Sequence, residues 1–105
     1  MNHSGISASI IRSILEVCSK FKTVKRVVLY GSRARGDHRL GSDIDIAIDA
    51  PKMTDKEFST LWSLLDDLPI IYPIDIVHLQ SLHNQDLLHA IQQDGRALAS
   101  FDLAE

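Results

Sequence analysis

The sequence predicts an α/β domain in which a small mixed β-sheet is flanked by helices. Three short apolar runs, rich in Val and Ile, alternate with three stretches whose apolar residues recur every three or four positions. The predicted order is therefore helix–strand–strand–helix–strand–helix. The chain has 105 residues, the length of one domain, and we expect residues 1–105 to form a single folding unit.

Composition excludes several classes of protein. Apolar residues make up 45% of the chain and charged residues 24%, and the formal net charge is −3. Such usage is typical of globular domains and disfavours general binding to nucleic acid. One cysteine, Cys18, excludes an internal disulfide and a cysteine-based zinc cluster. Because the sequence shows neither an apolar run of membrane-spanning length nor a secretion signal, we expect a cytoplasmic protein without a membrane partner.

The first helix is predicted from Ile6 onward by apolar residues at intervals of three and four. They are Ile10, Ile11, Ile14, Leu15, Cys18 and Phe21. Ser4 or Ser7 is the predicted N-cap, and residues 1–5 are expected to fray. Cys18 lies on the apolar stripe, and we predict a buried side chain rather than a nucleophile because no base lies near it in the sequence.

A strand, a tight turn and a second strand follow. Val27–Tyr30 is predicted to be a buried strand and Ser42–Asp49 the next one, joined by a polar, basic loop. Gly31 ends the first strand, and a glycine allows the backbone to turn and an anion to approach closely. Ser32 is a predicted N-cap for a short helix, whose free N–H groups would form an anion site.

Two aspartates in the second strand form a candidate metal pair. Asp43 and Asp45 are two residues apart, so in a strand both point to one face while the intervening Ile44 points to the core. Adjacent carboxylates repel each other, and a divalent cation relieves that repulsion. Mg²⁺ prefers oxygen ligands and usually takes one or two carboxylates together with phosphate oxygens.

The second helix is predicted by a capping box that joins Thr54 and Glu57. Trp62 lies on its apolar stripe, and we favour a core position over a stacking platform for a base. Asp66 and Asp67 are expected to form a solvated helix end rather than a metal pair, because adjacent helical residues diverge by about 100°.

The third strand is predicted over Ile74–Leu79. Pro73 precedes it, which is typical of an edge strand or of the first position of a strand. Asp75 shares a face with Val77, and an aspartate in an apolar strand is costly to bury without a partner. The residues alone leave Asp75 open to a structural or a catalytic interpretation.

The last helix is predicted to start at a Ser81 cap and to stop at Gly95, with a short strand or turn over residues 96–103. Four histidines show no convincing metal-ligand spacing: His38, His78, His83 and His89. His38 lies in the basic loop and is a minor candidate for a phosphate contact. We expect the other three at the surface or in an interface.

Gly31 and Ser32, ten intervening residues and then Asp43–Ile44–Asp45 resemble the signature of the DNA polymerase beta-like nucleotidyltransferase superfamily. The longer stretch GSRARG…SDIDIAI is similar to the sequences of the smallest branch of this superfamily, the minimal nucleotidyltransferases. These are typically encoded beside a HEPN-domain protein in prokaryotic toxin–antitoxin pairs. The likeness is best between residues 24 and 79.

The resemblance implies a DNA polymerase beta-like nucleotidyltransferase fold and a metal triad. Asp43 and Asp45 would bind two Mg²⁺ ions, and Asp75 would complete the triad beside the acceptor hydroxyl and help to take its proton.

For the nucleotide, the resemblance implies that Gly31 and Ser32 hold the β- and γ-phosphates. Arg33 or Arg35 would neutralise the phosphate tail, and for both arginines a solvated loop charge is an equally favoured interpretation.

The implied reaction transfers a nucleotidyl group, AMP from ATP, to a hydroxyl. The implied acceptor is a tyrosine of a HEPN toxin, which would make the chain an antitoxin. Whether the chain forms a homo-oligomer or a hetero-oligomer is left undecided by the sequence.

One alternative function is that of a binding module, which neutralises its partner by covering it. Another is transfer to a small-molecule alcohol, which we disfavour because the chain shows no acceptor-binding extension.

Overall fold

The computed structural model describes residues 4–101, which form a four-stranded sheet with helices on both faces. In chain order the elements are α1 (Ala8–Ser19), β1 (Arg26–Tyr30), α2 (Gly31–Arg35), β2 (Ile44–Asp49), α3 (Asp55–Asp66), β3 (Ile74–His78), a 3-10 helix (Leu79–Ser81), α4 (Gln85–Asp94) and β4 (Arg96–Ser100). The strand order is β3-β2-β1-β4. The β2–β3 pair is parallel and the other two pairs are antiparallel, so the predicted mixed sheet is confirmed.

The two faces of the sheet are covered unequally. The larger core lies under α1 and α3 and includes Ile44, Ile46 and Ile48 of β2. A smaller cluster on the other face joins Val28 and Ala47 to α4 and other residues. Because side chains alternate along a strand, the aspartates of β2 lie on this less covered face. None of the helices in residues 4–101 is long and apolar enough to cross a membrane.

Local side-chain caps set the helix starts. Of the two predicted caps of α1, Ser7 is the one used, and its Oγ accepts from the Ile10 N–H at 3.3 Å. The capping box of α3 is confirmed by reciprocal bonds between Thr54 and Glu57. The predicted Ser81 cap of α4 was wrong, because the chain first makes a 3-10 turn and Asn84 then caps the helix.

Two boundaries around the turn after β1 differ from the prediction. β2 begins at Ile44, so Asp43 precedes the strand instead of belonging to it. The helix after β1 begins at Gly31 and runs to Arg35, so Ser32 lies in its first turn and is not the N-cap. The predicted short helix is therefore present, but it starts at Gly31 instead of after a Ser32 cap.

The remaining elements agree with the sequence in part. β3 is an edge strand that starts after Pro73, and β4 forms the expected short strand. Asp66 and Asp67 lie exposed at the end of α3. Residues 102–103 of the expected terminal segment lie outside the described residues. So do residues 1–3 of the segment expected to fray, whereas Ser4 is buried and contradicts that expectation.

Burial confirms one side-chain prediction and overturns two. Cys18 is fully buried, and burial raises the pKa of its thiol to about 12. Trp62 is 43% exposed, so its predicted core position was wrong: α3 turns its neighbour Leu61 toward the sheet instead. His78, expected at the surface or in an interface, is buried inside the domain, where it stacks on Phe58 and its Nε2 lies 2.8 Å from the Ala50 carbonyl oxygen.

Candidate active site

The register of three adjacent strands places two of the predicted carboxylates side by side. Tyr30 of β1 is the register partner of Asp45, and Asp45 is the register partner of Asp75 on β3. Partner residues on adjacent strands point to the same face, so the Asp45 and Asp75 carboxyls are neighbours. Asp43 lies two residues before Asp45 on an exposed segment. The structure thus places all three at one end of the sheet.

The electrostatics of Asp45 show that these charges interact. Burial, followed by the negative charges of Asp75 and Asp43, raises the pKa of Asp45 to about 6, while Arg33 and Arg35 act in the opposite direction. A half-buried carboxylate beside two others holds its negative charge at a cost in free energy. The site therefore favours a bound cation.

Tyr30 belongs to the site although the motif did not indicate it. Its side chain is buried with the smaller apolar cluster. Burial raises the pKa of Tyr30 to about 12, and the charges of Asp75 and Asp45 contribute. The phenol therefore keeps its proton at neutral pH and remains a hydrogen-bond donor. Only the strand register reveals this neighbour, since the sequence gives no sign of which β1 residue faces Asp45.

Gly31 shapes the site by having no side chain. Its φ of +75° lies in the left-handed region, and a Cβ at this position would collide with the Asp45 carboxylate. The turn and the carboxylate therefore lie directly against each other. Gly31 and Ser32 remain partly accessible in the first turn of α2.

Arg33 does not face solvent. Only 2% of the residue is exposed. Its Nε donates to the Ser42 carbonyl at 3.0 Å, its Nη1 donates to the Ser4 carbonyl at 2.8 Å, and its Cζ lies 4.5 Å from the centroid of the Tyr72 ring. The expectation of a solvated loop charge is therefore wrong for Arg33, whose guanidinium contacts two backbone carbonyls and an aromatic ring.

Arg35, by contrast, is exposed beside the site. Its Nε lies 3.1 Å from Asp37 and its Nη1 lies 3.4 Å from Asp94 at the end of α4. His38 lies against Gly5 and Arg33, and its Nδ1 is buried without a hydrogen-bond partner among residues 4–101. Of the three basic side chains predicted near the phosphates, Arg35 is the one most open to a ligand.

The donor set suits a hard divalent cation. Within residues 4–101, no three His, Cys, Asp or Glu side chains already enclose a metal position. The three aspartates nevertheless offer only carboxylate oxygens, the ligands that Mg²⁺ prefers. Asp45 and Asp75 belong to paired strands, whereas Asp43 precedes its strand.

Comparison with known proteins identifies the family. Residues 12–103 match the family described as polymerase beta, nucleotidyltransferase, and the chain belongs to it. This family makes the domain a nucleotidyltransferase. A Methanocaldococcus jannaschii protein, provisionally named a protein adenylyltransferase, is 34% identical over 77 residues, which cover 71% of this chain and 76% of that protein.

Solved structures share the fold. A toxin–antitoxin crystal structure with AMP-PNP matches with a TM-score of 0.64 and 25% identity, over 87% of this chain and 73% of that chain. A complex of tri-AMPylated Shewanella oneidensis HEPN toxin with MNT antitoxin matches with a TM-score of 0.59 and 22% identity, over 89% and 71% of the two chains. The second match shows the fold alone. The predicted resemblance to minimal nucleotidyltransferases is confirmed.

Proposed function

We propose that this domain transfers AMP from ATP to a hydroxyl of a partner protein. The observation that carries the proposal is the register pairing of Asp45 with Asp75 beside Gly31. Two neighbouring carboxylates, one of them packed against the Gly31 turn, provide an acidic centre next to the proposed phosphate site. Asp43, two residues before Asp45, is the third proposed metal ligand.

In the proposed reaction the acceptor oxygen attacks the α-phosphorus of ATP. A P–O bond to the acceptor forms, the bond to the β-phosphate breaks, and pyrophosphate leaves. Asp75, exposed on the edge strand, is the carboxylate placed to take the proton of the acceptor hydroxyl. Mg²⁺ held by Asp43, Asp45 and Asp75 would supply charge neutralisation at the phosphoryl oxygens.

The phosphate tail would lie against Gly31 and Ser32. Gly31 allows the backbone to approach an anion closely, and the exposed Arg35 presents a guanidinium whose fork suits phosphate oxygens. In the absence of nucleotide Arg35 pairs with Asp37 and Asp94, so a bound triphosphate would compete with these two carboxylates. The protein's part in the reaction is thus mainly positioning and electrostatic stabilisation.

We further infer that the acceptor is a tyrosine of a HEPN-domain toxin, which makes this chain an antitoxin. The related solved structures support this: one is a toxin–antitoxin with AMP-PNP, and another contains an AMPylated HEPN toxin. Added AMP brings negative charge and bulk to the toxin, and both would interfere with its activity.

The test is a transfer assay with radiolabelled ATP, Mg²⁺ and a purified HEPN-domain protein encoded beside this chain. Wild type should label the partner, and the double variant Asp43→Ala, Asp45→Ala should not, while circular dichroism and thermal unfolding show that it folds. The matched control is Asp66→Ala, Asp67→Ala, which removes two exposed carboxylates from the end of α3. Label transfer by the site double variant would show that the metal site is wrong.

A non-catalytic binding module is the second candidate. The observation in its favour is that the HEPN toxin and MNT antitoxin of the related structure are in complex with each other. If the wild-type domain binds and inhibits its partner but transfers no label, this candidate replaces the first. Label on an added small-molecule alcohol, with none on the partner protein, would instead identify a different acceptor.

A further inference from the structure

Arg33 lies where three segments of the chain meet. From α2 its guanidinium donates to the carbonyl of Ser4, ahead of α1, and to the carbonyl of Ser42, the residue before Asp43. It also lies over the ring of Tyr72, three residues before Asp75. One buried side chain therefore contacts both segments that lead into the proposed metal ligands.

These contacts use the shape of the guanidinium as well as its charge. The two hydrogen bonds leave from different nitrogens, and the flat face of the same group stacks on an aromatic ring. Within residues 4–101, no ion pair joins Arg33 to a carboxylate. A buried charge without a close counter-ion is costly to the fold, and the two hydrogen bonds and the aromatic ring offset part of that cost.

We propose that Arg33 is a positioning residue of the transfer reaction. It fixes the spacing between the segment that carries Asp43 and the segment that carries Asp75, and it does not bind the nucleotide phosphates. The proposal rests on the proposed metal site. It explains why a basic residue of the phosphate-binding turn is buried away from solvent: its partners are the backbone and an aromatic ring.

Substitutions can separate the effect of the guanidinium's geometry from the effect of its charge. Lysine keeps a positive charge at position 33 but provides a single head group, which cannot make both hydrogen bonds and the stacking contact. Tyr72→Leu removes the ring from the Arg33 guanidinium, and Tyr72→Phe keeps the ring and serves as its matched control. Arg33→Lys and Tyr72→Leu should therefore share one phenotype, and Tyr72→Phe should resemble wild type.

The experiment measures Mn²⁺ binding to the whole domain in the presence of AMP-PNP, by electron paramagnetic resonance of free Mn²⁺. A protein-free titration of AMP-PNP is subtracted, because the nucleotide itself chelates Mn²⁺. Residues that orient metal ligands typically change metal affinity by ~10- to 100-fold when substituted, so Arg33→Lys and Tyr72→Leu should weaken Mn²⁺ binding by about 10-fold. In the transfer assay the same variants should need more Mg²⁺ for half-maximal kcat, with an unchanged KM for ATP at saturating Mg²⁺. Measurements are made well below each variant's Tm, so a loss of stability alone leaves both readouts unchanged.

Two results would overturn the proposal. In the first, both folded variants bind Mn²⁺ as wild type does and keep its Mg²⁺ dependence. In the second, Arg33→Lys raises the KM for ATP and leaves Mn²⁺ affinity unchanged, which identifies a phosphate ligand. Asp45→Asn distinguishes the underlying metal site from the positioning role. If that variant binds Mn²⁺ like wild type, the proposed metal site fails, whatever the Arg33 variants do.

Discussion

The two ends of β2 carry aspartates in opposite electrostatic settings. At one end, Asp49 accepts a hydrogen bond from Arg26 at 2.7 Å and another from Gln80 at 2.6 Å. Although burial raises the pKa of Asp49, the bonds from Arg26 and Gln80 outweigh it and hold the pKa below its usual range. At the other end, burial and the charges of Asp75 and Asp43 raise the pKa of Asp45 to about 6.

The difference separates a structural carboxylate from a functional one. Both residues lie on the same face of one strand, four positions apart, so strand geometry does not distinguish them. The fold supplies Asp49 with donors from β1 and from the 3-10 helix, whereas it surrounds Asp45 with further carboxylates. A carboxylate with a raised pKa and no cationic partner in hydrogen-bond contact is typical of a site in which the ligand supplies the positive charge.

The largest expected effect is on activity. Asp45→Asn should lower AMP transfer by at least ~100-fold, since losing a metal ligand costs more than losing a group that orients one. Asp49→Asn, at the other end of the strand, should transfer AMP like wild type under conditions where it is folded. Initial rates with radiolabelled ATP test both variants, and equal losses would erase the distinction between the two ends.

Gly31 and Gly36 have similar φ angles but different surroundings. Gly31 and Gly36 have φ values of +75° and +87°, but only at Gly31 would a Cβ meet the Asp45 carboxylate. Gly31→Ala should displace that carboxylate, and misplacement by about 1 Å can lower a rate by ~10²-fold. Gly36→Ala bears the same backbone strain and should keep its activity. Similar transfer rates for the two variants would show that the contact with Asp45 is unimportant.

Removing the Asp49 carboxylate should reduce stability. Asp49→Ala leaves Arg26 and Gln80 without their acceptor, which should lower the free energy of unfolding by about 1–2 kcal/mol at pH 7. The side chain of Arg26 is 45% exposed, and water offsets part of its loss. Because the pKa of Asp49 is depressed in the fold, this stabilisation is fully present above the usual aspartate pKa and is lost as the pH falls below that value through the depressed pKa. Urea unfolding at pH 7 and pH 3 measures the change, and an equal difference at both values would contradict it.

The smallest effect has the opposite sign. Because the fold raises the pKa of Asp45 from 3.8 to about 6, ionisation of this group destabilises the metal-free domain progressively as the pH rises between these values. Asp45→Asn should therefore unfold like wild type below pH 4 and gain about 1 kcal/mol above pH 6, a figure reduced from the full shift because the side chain is partly solvated. Urea unfolding with EDTA tests this, and a less stable variant at pH 7 would contradict the assignment.

The sequence predicted what depends on local chemistry. The Ser7 and Thr54 caps, the buried Cys18 and the edge position of β3 follow from neighbouring residues and apolar spacing. The family signature likewise consists of a short run of residues, and the family match confirms it.

Features that depend on contacts between distant segments of the chain could not be predicted from the sequence. The burial of Arg33 depends on carbonyls and a ring contributed by three separate segments. Trp62 repeats at helical spacing yet is exposed, and Leu61 and Leu65 are the residues that α3 buries. The register that places Tyr30 beside Asp45 is likewise visible only once the strands are paired.

The most direct test of the central claim is anomalous diffraction from crystals of the domain grown with Mn²⁺ and a non-transferable ATP analogue. We expect an anomalous peak bounded by carboxylate oxygens of Asp43, Asp45 and Asp75, with the α-phosphate of the analogue beside it. A bound nucleotide whose Mn²⁺ is held by phosphates alone, or by a different part of the sheet, would contradict the proposed metal site.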